Sequence, residues 1–320
     1  MEATKKAGIL NKLINTERLG LLVALTLMVV IFHVLTSGLY VSIANIINIL
    51  VASSIVGLVT IGQSYLLISG NVDLSPGSVS AFSGVLVALL LVAGVPVFLA
   101  ILITVISGLI IGYFNSCLVH YIKIEPFIAT LATMSIFRGL AFIISDGRAV
   151  FVSNNAFISL GSTRWFGVPI PVLLFIVTFA AFTVILNRTR FGRSVYMVGG
   201  NATAARLAGI NALKVRTLLY MMTSGFSALG GVILAARMHS GQPIASQGLE
   251  FDAVTAAVLG GITLKGGFGT LGGALIGLFI MQGFNNGLMM LNVSSFWQTV
   301  GRGLLLIVAL TFDFLRRRKR

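Results

Sequence analysis

The chain has 320 residues, of which 57% are apolar and only 9% charged, with 36 glycines besides. A soluble domain carries roughly 25% charged residues, so an ordinary soluble enzyme, a disordered chain and a small secreted scaffold are all excluded. The 22 Lys and Arg against 8 Asp and Glu give a net charge of +14. On a soluble domain this would suggest nucleic acid. On a membrane protein it reflects basic loops that set orientation, and no nucleic-acid partner is expected.

In chain order, Lys5, Lys6, Lys12 and Arg18 precede a first apolar run. The run reaches Val34 with no small-residue cleavage site behind it, so it reads as an uncleaved span and not a signal peptide. A helix needs about 20 apolar residues to cross the hydrocarbon core. Segments near that length fall at 19–37, 46–69, 77–94, 96–119, 126–145, 169–187, 217–236, 251–264, 270–290 and 296–314. The expected fold is therefore an all-α polytopic membrane protein of about ten transmembrane helices, some short or broken. Residues 1–320 form a single transmembrane domain. The eighth span is short and interrupted by Gly260 and Gly261, which is tolerated only inside a bundle or beside a cavity.

Placing the N-terminus inside puts 17 of the 22 basic residues on the cytoplasmic side. These are the four N-terminal ones, Lys123, six from Arg188 to Arg216, Lys265 and the tail Arg316–Arg320. The positive-inside rule favours this orientation, with both termini cytoplasmic. Arg148, Arg164 and Arg237 then lie near the outer face, while Arg138 and Arg302 fall within spans. The three outer arginines would either dock a partner or snorkel to lipid phosphate. Cys117 is the single cysteine and sits in an apolar run, so it packs and forms no intrachain disulfide.

Two loops exceed what a connector needs. The external segment 146–168 carries Trp165 and Phe166 and ends at Pro169, an interfacial lid. The inner segment 188–216 holds Gly199 and Gly200 as a sharp entry, Asn201 as an N-cap, a short helix at 202–207, and Gly209 as its left-handed stop. This helix is either pinned to the membrane surface or offered to a cytosolic partner.

No phosphate-binding loop is present. Gly267-Phe268-Gly269-Thr270-Leu271-Gly272 fits G-x-G-x-x-G, but no strand precedes it, so it is not a dinucleotide site. Gly269, Gly273 and Gly277 recur every four residues, the spacing of close helix packing. His33, His120 and His239 are scattered and form no metal cluster. Any uphill transport thus draws its energy from another chain or an ion gradient.

Polar groups at membrane depth are functional candidates by default. Asp73 and Ser75, with Pro76 behind them, would cap the third span or touch substrate. Gln282, Asn285 and Asn286 in the ninth span would bind a hydroxylated ligand or join helices, and Arg138 needs an acceptor nearby. Glu125, Asp146, Glu250, Asp252 and Asp313 map to span ends or loops, which weighs against an ion-coupled secondary carrier.

Several stretches together resemble one family. They are Phe191-Gly192-Arg193, Gly199-Gly200-Asn201 and the run from Ala204 through Arg206 and Gly209 to Ile210. Val72–Ser78, Pro126–Leu131, Arg138-Gly139, Ala256–Gly261 and Asn285–Leu288 complete the set. The chain resembles the ribose-type permeases of bacterial ABC importers, in the branched-chain amino acid and sugar permease superfamily, from about residue 40 to 314. Asn71 and Pro76 depart from the usual pattern and leave the sugar open.

The resemblance implies a type II-like permease of the bacterial inner membrane, dimeric with a second copy or a paralogue. Two cytosolic ATP-binding-cassette domains, holding the ATP and magnesium, would dock on Arg193, Gly199, Gly200, Asn201, Ala204, Ala205, Arg206, Gly209 and Ile210. A periplasmic or lipid-anchored sugar-binding protein would dock outside, at Arg148, Arg164 and Arg237. The pathway candidates are Asp73, Ser75, Phe127, Thr130, Arg138, Gln282, Asn285 and Asn286. The cargo would be a monosaccharide such as ribose, with nucleosides, branched-chain amino acids or a signalling sugar as alternatives. Movement of the 201–210 helix is expected to reach the sixth and seventh spans.

Overall fold

The computed structural model describes residues 2–318, with side chains from 19 to 311 and at Phe314. The basic side chains at both ends, Lys5, Lys6, Lys12, Arg18 and Arg316–Arg320, and Asp313 lie outside the described set.

Ten helices occupy the ten expected spans. They are α1 (Glu2–Leu35), α2 (Ile43–Ile68), α3 (Pro76–Val92), α4 (Val97–His120) and α5 (Pro126–Ile144). After the external segment come α7 (Ile170–Arg188) and, beyond the long loop, α10 (Ala212–Met238), α11 (Leu249–Leu259), α12 (Leu271–Met290) and α13 (Ser295–Arg318). The external segment contributes α6 (Asn155–Ser162), and the long loop contributes α8 (Arg190–Gly200) and α9 (Ala202–Leu207). Among the described residues, five helices are long and apolar enough to cross a bilayer: α2, α4, α5, α7 and α10.

Burial sorts these into layers. The apolar windows of α2 and α10 are 56% and 67% buried, against 22–28% for α4, α5 and α7. So α2 and α10 form the inside, and the others present apolar faces outward. Lipid is as apolar as leucine, so contact area alone does not drive helices together in a bilayer; close packing does. Small residues supply it here. Gly108 meets Ala228 and the Ser224 carbonyl, and Gly112 meets the Tyr220 and Met221 backbone, closing α4 on α10. Gly84 and Ser80 of α3 meet Gly231 of α10. Gly273 and Gly277 press on the Gly260 and Ala256 carbonyls and close α12 on α11, whereas Gly269 lies in the preceding turn at φ +136°.

Two helices are shorter than a full span. At 1.5 Å per residue, the eleven residues of α11 cover about 16 Å, half of a core about 30 Å thick. Gly260 caps α11 and Gly261 turns the chain at φ +89°. α3 has 17 residues, and its start is set back from the end of α2. The Asp73 carbonyl accepts from Gln63 Nε2 at 3.1 Å, level with a residue well before the end of α2. The chain beyond α10 likewise doubles back along α3. Gly241 lies against Gly84 and Val85, and Ser246 bonds Ser80 at 2.9 Å. Gly77 then touches Glu250. The starts of α3 and α11 therefore meet inside the bundle, each reached by a returning segment after a long helix.

Residues 146–168, expected to form an interfacial lid, fold into defined elements. β1 (Val150–Phe151) pairs antiparallel with β4 (Ser240–Gly241). β2 (Arg164–Trp165) and β3 (Val168–Pro169) form a hairpin with Phe166 and Gly167 at positive φ. Two positive-φ residues are what a type I′ turn requires. The turn leaves Trp165 and Phe166 exposed, which suits an interfacial anchor. α6 is capped by Asn154, seats the fully buried Phe157, and packs Gly161 on the Arg237 backbone.

Gly112→Val puts a branched side chain into the α10 backbone. It should lower stability by about 1–3 kcal/mol or more, read as thermal unfolding in detergent. Gly139→Ala enters open space and should leave the transition unchanged.

Candidate functional site

The polar groups at membrane depth gather at the meeting of the two half-helices. On one side, Asp73 Oδ1 accepts from the Ser75 N–H at 2.8 Å and the Ser75 hydroxyl at 2.7 Å. Asn115 on α4 donates to Ser75 Oγ at 2.9 Å, with the Asp73 carboxylate at 3.4 Å. Tyr220 Oη reaches the Val72 carbonyl at 3.4 Å. Asp73, Ser75, Asn115 and Gln63 are fully buried. Pro76 stands at the first turn of α3 as its missing N–H allows. Asp73 therefore orders the return turn just ahead of that helix, from inside the protomer.

On the other side, Arg138 of α5 donates through Nη1 to the Pro243 carbonyl at 2.8 Å and the Ala245 carbonyl at 2.7 Å. These carbonyls belong to the segment returning to α11 and have no ladder partner. The guanidinium supplies one, and it ties α5 to the second half-helix. Glu250 in the first turn of α11 is buried against Gly77, where two helix N-termini converge. Backbone dipoles make such ends positive, which favours a carboxylate there. Asp252, also buried, faces Arg302 of α13 at 3.7 Å.

The remaining pathway candidates are dispersed. Asn286 donates to Asn45 Oδ1 and accepts from Asn45 Nδ2, both at 2.9 Å, so this amide joins α12 to α2. Among the described residues, Gln282 Nε2 and Asn285 Oδ1 have no hydrogen-bond partner. Thr130 bonds its own helix at the Pro126 carbonyl, and Phe127 is exposed.

The long loop folds as a frame carrying a short helix. Thr189 caps α8 by accepting from the Gly192 N–H. Gly192 sits against the Leu186 carbonyl and fixes the corner with α7. Gly199 and Gly200 are the last residues of α8, not a separate sharp entry. The reason for glycine at 199 is proximity, since its Cα lies on the Ile68 carbonyl and Gly267 N, whereas Gly200 faces open space. Asn201 Oδ1 accepts from the Thr203 and Ala204 N–H groups at 3.0 and 2.9 Å. Gly209 ends α9 at φ +80°, with the Ile210 N–H returning to the Ala205 carbonyl. Ala205 is buried and anchors α9 from below. Arg193, Ala204 and Arg206 are exposed, as is Leu207 at 86%. The small helix is thus held by its own caps and the buried Ala205, with the apolar Leu207 outward. At the opposite end of the bundle Arg148, Arg164 and Arg237 are all exposed.

Chain comparisons decide the family. Residues 45–310 match the family described as branched-chain amino acid transport system / permease component. This chain is a member of that permease family. It is a transport subunit and not an enzyme, a multi-pass protein of the inner membrane. The ribose import permease protein RbsC of Bacillus subtilis is 39% identical over 299 residues, 93% of this chain and 92% of the relative. The L-arabinose transport system permease protein AraH of Escherichia coli is 40% identical over 262 residues, 82% of this chain and 80% of its own. The D-allose transport system permease protein AlsC of Escherichia coli is 35% identical over 301 residues, 93% of this chain and 92% of its own. No solved structure matches the chain significantly.

Gln63, Asn115 and Asn45 are the site residues that sequence reasoning passed over, whereas Glu250 reads there only as a span-end residue. Gln63 and Asn115 did carry a signal, as lone amides inside apolar runs. Asn45→Ala and Asn286→Ala should each cost roughly 1–2 kcal/mol through loss of both bonds of the pair, with Asn45→Ala the costlier because it also frees the buried Tyr40 carbonyl. Equal uptake per folded molecule in the two variants is expected. A selective uptake loss in Asn286→Ala would mean that Asn286 contacts cargo.

Proposed function

We propose that this chain is the membrane-spanning permease subunit of an ATP-binding-cassette importer for a monosaccharide, a ribose-like pentose first among candidates. The observation that carries the reading is the rigid 190–210 segment, whose short helix turns Leu207 and Arg206 away from the bundle. The sugar named for each of the three relatives supports the cargo class. Two ATPase domains holding ATP and magnesium dock on the segment that runs from Arg193 to Ile210. The end bearing this segment is cytoplasmic, as are both termini, which agrees with the bias of the basic residues.

A second permease copy or a paralogue completes the pathway at the dimer axis. Phe127 and Arg138 of α5 line it, Gln282 and Asn285 offer free polar atoms, and Asp73, Ser75, Thr130 and Asn286 hold the walls. A periplasmic or lipid-anchored binding protein docks at the other end, where Arg148, Arg164 and Arg237 meet acidic residues on its rim. Lipids cover the outward faces. Recognition resides mainly in the binding protein, so a weakly polar path suffices, and alternating access needs only small rigid shifts.

Proteoliposomes containing the permease, its neighbouring ATPase and the binding protein should take up D-ribose or another pentose only with ATP and binding protein present. Uptake by the permease alone under an ion gradient would overturn the reading. Gly200→Trp fills open space outside the fold. It should leave thermal stability unchanged and reduce ATPase co-purification at least several-fold.

A further inference from the structure

The end of α8 does not stop at α7 and α10. Gly199 lies on the Ile68 carbonyl, the last residue of α2, and on Gly267 N. Gly267 N–H donates to that same Ile68 carbonyl at 2.7 Å. Gly266 is packed on Gly70 and on the Gly199 carbonyl. One turn earlier in α8, Tyr196 Oη donates to the Gly269 carbonyl at 2.7 Å. Burial raises the pKa of the Tyr196 phenol, so it stays a donor at any cellular pH.

Three backbones thus meet with no side chain between them: the end of α8, the turn after α2, and the turn after α11. Both half-helices hang from this junction. The turn after α2 runs through Asp73 into α3, and the turn before α12 is the exit of α11. Their starts meet at Gly77 and Glu250. A displacement of α8 therefore loads both half-helices together.

We infer that Tyr196 and the Gly199–Ile68–Gly267 backbone junction are positioning elements that carry movement of the 190–210 segment to both half-helices at once. The inference rests on that segment being the ATPase contact.

The test uses the complete complex of permease, ATPase and binding protein in nanodiscs, and reads ATP hydrolysis with and without binding protein. Tyr196→Phe removes one hydrogen bond and keeps the ring. It should cut the stimulation by binding protein at least threefold while ATPase co-purification stays normal. Gly199→Ala should do the same or worse. Phe175→Ala, which opens a destabilising cavity where α7 packs on Gly57 of α2, well before the end of that helix, should leave the stimulation ratio as in the wild type, which separates positioning from lost stability. Normal stimulation in Tyr196→Phe, together with normal stimulation in whatever Gly199→Ala complex assembles, would overturn the inference. A wild-type complex with no stimulation would instead sink the importer reading beneath it.

Discussion

Gln63, Asn115 and Arg138 answer one demand. Inside a bilayer no water satisfies a backbone group, so a chain that leaves the helix there must be bonded by protein. Two segments of this chain do leave it, before α3 and before α11. Gln63 takes the Asp73 carbonyl and Asn115 holds Ser75. Arg138 takes two carbonyls ahead of α11. Remove these donors and each return segment becomes a buried strip of unpaired polar groups, worth a few kcal/mol apiece. The half-helices, and hence any path between them, exist because those three side chains are where they are.

The same demand explains why the two starts converge. Each helix N-terminus carries unpaired N–H groups and a partial positive charge. Burying one such end is costly, and burying two together without anions would be worse. Asp73 and Glu250 lie at these ends, both buried. The arrangement repeats in the two halves of the chain: a long helix, a return, then a short helix, in opposite senses across the bundle. Inverted repeats of this kind are a common way to build a gate from two similar parts. Here the parts are joined through the glycine backbones at 199, 266 and 267 and again where their starts meet at Gly77 and Glu250.

A transporter of this design separates three tasks. In the proposed importer the 190–210 segment would offer the rigid surface, the half-helices would move, and the outward apolar faces would hold the lipid. Glycine serves the second task in two ways. At 108, 112 and 231 it lets helices approach closely enough to pack without a hydrophobic drive. At 199 and 267 it brings backbones into contact, which leaves little slack in the transmission of a small shift.

Composition and local chemistry alone determined that the chain is a multi-pass membrane protein built on ten apolar runs, since a chain 57% apolar and 9% charged has too little polar surface to face water. They also determined the caps of the long loop. Asn201 and Gly209 act within four residues of themselves, so no distant contact was needed to read them. The broken eighth span was visible in Gly260 and Gly261 for the same reason. Partners at long range were not visible. That Asn286 finds Asn45, 241 positions away, that Arg138 reaches Pro243 and Ala245, and that Gly199 rests on Ile68 all follow from which helices pack side by side. An apolar run of 20 residues looks the same from every side. Which face turns inward, and what meets it there, is decided only when the helices assemble and every buried polar group must find its bond.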